Sequence, residues 1–91
     1  MRDERFEWLD RKARTNIRDH GVTFEEAMLA FDDDLSIDDI DESMNYGEER
    51  WKLTGMARGR LLVVIYTLRG KRIRTISARK ADRHEQEDYY R

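Results

Sequence analysis

Residues 61–66 read Leu-Leu-Val-Val-Ile-Tyr, six apolar side chains in succession. Side chains alternate across a strand, so a strand built from this run has no polar face and must be covered on both sides or nearly so. It therefore belongs at the centre of a sheet. Candidate strands cover 50–56, 60–68 and 72–77, and the links between them, Ala57-Arg58-Gly59 and Arg69-Gly70-Lys71, are short and contain glycine. Such links join antiparallel hairpins, so a three-strand meander is predicted.

The sequence before the meander follows a different period. Arg5-Phe6-Glu7-Trp8 alternates polar and apolar residues and reads as a short first strand or an extended lead-in. A helix over 10–20 puts Leu9, Ala13 and Ile17 at i, i+4 and i+8, the stripe expected to face the core, with Lys12, Asn16 and His20 as a polar seam beside it. Gly21 closes that helix in the left-handed conformation. Thr23 opens a second helix, with Glu26 placed for a capping box, Val22 placed to staple against Ala27, and Phe24, Ala27, Met28 and Phe31 as its buried face. The acidic run 32–42 contains Leu35-Ser36-Ile37, which is either an edge strand or part of a solvated loop. Asp82 and Glu85 cap a last helix over 83–90. The sum is a single domain over 1–91 of α+β class: two N-terminal helices, an antiparallel β-meander sheet and one C-terminal helix.

Charge is divided unevenly. Residues 58–91 carry ten Lys or Arg against four Asp or Glu, whereas residues 1–57 carry eight against sixteen, so a net charge of −2 hides one basic and one acidic pole. Within the basic pole, Ile73-Arg74-Thr75-Ile76-Ser77-Ala78-Arg79-Lys80-Ala81 threads basic and hydroxyl side chains through an apolar run and then opens a helix, a setting suited to phosphate. The absence of cysteine removes disulfides and thiolate metal sites. No apolar stretch reaches the roughly 18 residues of a membrane span, and the first residues lack the apolar region of a signal peptide. An intracellular, cytoplasmic protein is expected, without metal or cofactor, since no P-loop and no His or carboxylate cluster with ligand spacing is present.

Several segments together, in order and spacing, resemble one family. They are Phe6-Glu7-Trp8, Lys12, Asn16, His20-Gly21-Val22-Thr23-Phe24-Glu25-Glu26-Ala27, Phe31-Asp32-Asp33, Glu48-Glu49-Arg50, Gly55, Leu62-Val63-Val64-Ile65-Tyr66-Thr67, the run 74–81, and Tyr89. The chain resembles the BrnT toxins of bacterial type II toxin–antitoxin systems, small ribonucleases with a RelE-like α+β fold. It departs from the family pattern at Leu9, at Asp19, and in a last helix less rich in arginine. The resemblance implies metal-independent RNA cleavage and growth arrest, and neutralisation by a BrnA-like ribbon-helix-helix antitoxin. It also implies operator DNA bound only through the antitoxin complex.

In such a reaction a ribose 2′-hydroxyl attacks the neighbouring phosphate, which requires a proton acceptor, a proton donor and fixed positive charge. Arg79 is the first candidate for the charge, at the end of the last strand and before a helix N-terminus, although it is equally suited to an ion pair tying strand to helix. Ser77 shares its face in a regular strand. Arg74, five residues from Arg79, falls on the opposite face unless a bulge or twist intervenes or the strand ends before Arg79. Arg50 is suited either to the site or to a salt bridge with Glu48 or Glu49. Glu49 is a candidate base, and His20 either exchanges protons or satisfies the end of its helix. Tyr66 and Tyr89 are suited to proton donation or stacking, Tyr66 more to packing. The competing reading is a noncatalytic module that binds protein or nucleic acid through its charged poles.

Overall fold

The computed structural model describes residues 1–42 and 47–91. Along the chain these form β1 (Phe6–Glu7), α1 (Asp10–His20), α2 (Phe24–Ala30), β2 (Ile37–Ile40), β3 (Trp51–Ala57), β4 (Arg60–Arg69), β5 (Arg72–Lys80) and α3 (Arg83–Tyr90). The strands make one sheet in the order β1-β5-β4-β3-β2, so the all-apolar run occupies the middle strand, and Leu62, Val63 and Val64 are wholly buried there. β2 to β5 pair antiparallel, but β1 joins β5 in parallel, Phe6 against Ile73. The sheet is therefore mixed rather than purely antiparallel. The acidic segment does supply an edge strand, at Ile37–Ile40 rather than at Leu35. Among the described residues no helix is long and apolar enough to cross a membrane.

The core lies between one face of the sheet and the two N-terminal helices. Phe6, Trp8, Val22, Phe24, Ala27 and Ala30 meet Leu53, Leu62, Val64, Tyr66 and Ala78 in a single cluster. Each large side chain so buried contributes about 1.5–3 kcal/mol. α2 comes very close to β3: a Cβ on Gly55 would lie 2.5 Å from the Ala30 carbonyl oxygen, so only glycine fits. Thr23 accepts from the Glu26 N–H at 3.0 Å as expected of a cap, while the Glu26 carboxylate turns to Arg60.

α1 spans the expected residues 10–20, and Gly21 ends it at φ 68° with its N–H donated to the Ile17 carbonyl. Its buried side differs from the expected stripe. Leu9 and Ile17 are 43% and 49% exposed, whereas Asn16 is 4% exposed. The reason is that α1 lies along an edge. β1 pairs with only two residues of β5, leaving the outer edge of β5 open beyond them. Asn16 closes it: Nδ2 donates to the carbonyls of Ala78 at 2.8 Å and Val22 at 2.9 Å, and Oδ1 accepts from the Ala78 N–H at 3.0 Å. One side-chain amide thus stands in for a neighbouring strand.

Candidate functional site

A bulge decides which side chains meet. β4 and β5 pair Ile65 with Ser77 and then Tyr66 with Thr75, leaving Ile76 as the extra residue. In a regular strand Arg74 and Arg79 would point to opposite faces. With the extra residue, Arg74 lies opposite Thr67, Ser77 opposite Ile65 and Arg79 opposite Val63, all on one face. On β3, Lys52 lies opposite Ile65, and the same alternation brings in Arg50. This face is turned away from the two N-terminal helices, and it carries a groove of about 340 Å³ lined by Asp41, Arg50, Lys52, Ile65, Ile76, Ser77 and Arg79.

α3 is docked beside this groove by one carboxylate. Glu85 is 5% exposed and receives both terminal nitrogens of Arg79, Nη1 to Oε1 at 2.8 Å and Nη2 to Oε2 at 2.9 Å. Lys52 Nζ lies 2.6 Å from Oε2, and the Asp82 N–H donates to Oε1 at 2.8 Å. The last contact is half of a capping box whose other half is the Glu85 N–H on Asp82, so the N-terminal turn of α3 and the two strand cations are secured together. The Arg79 guanidinium, then burial opposing it, then Lys52 set the Glu85 carboxyl, with a net shift well below the carboxylate range. The Arg79 guanidinium is correspondingly pushed up, first by its bond to Glu85.

The internal ion pair anticipated as the alternative for Arg79 is therefore present, yet it does not consume the residue. A guanidinium has five N–H donors arranged in two forks. Glu85 occupies the end fork, and the second Nη1 hydrogen reaches the Lys80 carbonyl at 3.3 Å. The side fork, Nε with the other Nη2 hydrogen, has no hydrogen bond among the described residues. The Arg79 side chain is 38% exposed on the groove. The groove thus brings together three cations that each have a carboxylate neighbour, Arg79 and Lys52 on Glu85 and Arg50 near Glu48, with Asp41 also in its lining.

The other candidates are spread around this centre. Arg74 shares the face but is held by Glu7, Nε at 2.9 Å and Nη2 at 2.7 Å, and the contact keeps the Glu7 carboxyl below its ordinary range. Arg50 both lines the groove and approaches Glu48 at 3.4 Å. Glu49 is exposed outside the groove, and its contribution is a carbonyl that accepts from Thr67 Oγ1 at 2.7 Å. His20 lines a second groove, with Lys12, Thr15 and Asn16, that adjoins the first at Ile76 and Ser77. Tyr66 packs in the core with its hydroxyl donated to Asp38 at 2.7 Å, and burial foremost pushes its pKa up. Tyr89 donates to Asp33, which pushes its own pKa up to about 12. Sequence reasoning missed Lys52 and the role of Glu85. The alternation of Arg50, Lys52 and Thr54 along one strand was a usable signal for the first.

Among the described residues no group of three or more His, Asp or Glu side chains is arranged to hold a metal ion. Compared with protein-family models, residues 8–85 match the one described as ribonuclease toxin, BrnT, of type II toxin–antitoxin system. A search of curated proteins finds no match.

Proposed function

The chain belongs to the BrnT family, the ribonuclease toxins of type II toxin–antitoxin systems, and from that membership we propose that RNA is cut in the groove of Arg50, Lys52, Ser77 and Arg79 without a metal ion. The observation that carries the reading is the bulge at Ile76, which gathers these cations and a hydroxyl on the open face of the sheet. A ribose 2′-oxygen attacks the adjacent phosphorus, the bond to the 5′-oxygen breaks, and a cyclic phosphate and a 5′-hydroxyl result. The side fork of Arg79 takes two phosphate oxygens, Ser77 donates to one of them, and Lys52 and Arg50 supply further charge where negative charge accumulates. Glu85 serves as the orienting group. It is not the base, because its oxygens are already taken by Arg79, Lys52 and the Asp82 N–H. His20, in the adjoining groove, is the candidate for proton exchange.

Metal independence is supported by cationic side chains where a metal site would need converging carboxylates. Two helices on one face of a meander and an open groove on the other support a RelE-like arrangement. A BrnA-like ribbon-helix-helix antitoxin silences the chain, operator DNA is bound through that complex, and the toxin acts in the cytoplasm. The test is incubation of antitoxin-free protein with a defined RNA in the presence of chelator, with the product ends analysed. Cyclic phosphate ends are expected. RNA that is bound and never cut would overturn the nuclease reading in favour of a noncatalytic binding module.

A further inference from the structure

β2 ends the sheet, and among the described residues nothing pairs with its outer edge. The Asp41 N–H donates to the Arg50 carbonyl, so in the antiparallel ladder Ile37 and Asp39 bond inward to β3 while Asp38 and Ile40 turn their N–H and C=O outward. Edge strands of soluble proteins are normally blunted, and here the charge does part of that work: residues 32–42 hold seven Asp or Glu and no Lys or Arg. Yet two large apolar side chains flank the edge in the open, Leu35 at 73% and Ile40 at 55% exposed. Asp34 and Asp39 are exposed beside them with no ion pair among the described residues.

An edge that only repelled partners would not carry exposed leucine and isoleucine. We propose that the antitoxin docks here, through an extended segment in which basic and apolar residues alternate and which adds a sixth strand to β2. Main-chain bonds to Asp38 and Ile40 give register, Leu35 and Ile40 receive the apolar side chains, and Asp34 and Asp39 pair with the basic ones. Asp39 lies opposite Lys52 and Asp41 lines the groove, so the added strand runs along the rim of the phosphate groove and competes with RNA for access. The inference rests on family membership only for the existence of an antitoxin.

The test uses the chain and its cognate antitoxin, purified separately, in a titration without RNA. Ile40→Pro removes an outward N–H and no inward one, and Asp39→Lys reverses a surface charge; each is expected to weaken binding at least tenfold. Hydrogen exchange at Asp38 and Ile40 is expected to slow in the wild-type complex. Wild-type affinity in both variants, or slowed exchange along Leu9 to Ile17 in place of β2, would overturn the proposal. Asp39→Lys keeps the test decisive if the proline variant fails to fold. Because binding alone is read, a chain that docks in this way and cuts no RNA would retain this inference and lose the nuclease one.

Discussion

Glu85 holds four donors on one buried carboxylate: two from Arg79, one from Lys52 and the Asp82 N–H. A carboxyl whose pKa is lowered on folding contributes stability that is fully present above its unfolded value, near 4.5, and is lost as pH falls from there toward the folded value. Replacement by glutamine keeps the shape and removes the charge. Glu85→Gln is therefore expected to be destabilised most at pH 7, with its deficit against wild type shrinking by pH 3, as urea unfolding at the two pH values will read. Arg79→Ala leaves Glu85 facing Lys52 alone. Breaking a fully buried pair costs roughly 3–5 kcal/mol, but Arg79 is 38% exposed, so a loss of about 1–3 kcal/mol is expected from the same titration. A loss of toxicity in that variant has to be judged against its stability.

Element limits were legible where caps speak: the end of α1 follows from Gly21, and the start of α3 from Asp82 and Glu85. The facing of α1 was not legible, because a 3.6-residue period presumes that the apolar stripe meets the core, and this helix lies along the strand edge that β1 leaves open. Its buried residue is a hydrogen-bonding one. Asn16→Leu is expected to cost about 1–3 kcal/mol in urea unfolding, since the Ala78 N–H loses its acceptor and the carbonyls of Ala78 and Val22 lose their donor. The bulge at Ile76 was equally silent, with no glycine or proline to mark it. A one-residue insertion reverses the facing of everything beyond it, so Arg74 could not be placed relative to Arg79 by counting along the strand.

For the whole molecule, the unequal division of charge pointed to the basic C-terminal half but not to which cations converge. Lys52 comes from β3 and Arg50 from the residue just before it, on the acidic side of that division, and they reach the groove only because β3, β4 and β5 lie side by side. Convergence across strands is a property of register, and register needs coordinates. The family assignment supplies the activity; the groove supplies a place for it. The claim that joins them is that the guanidinium fork of Arg79 faces the scissile phosphate, and Arg79→Lys isolates it by keeping a cation for Glu85 while removing the fork. Single-turnover cleavage of a defined RNA by wild type and Arg79→Lys is the measurement. A fall in rate of about 10²–10³-fold in a variant that unfolds at nearly the wild-type urea midpoint is expected. An unchanged rate in that folded variant would contradict it.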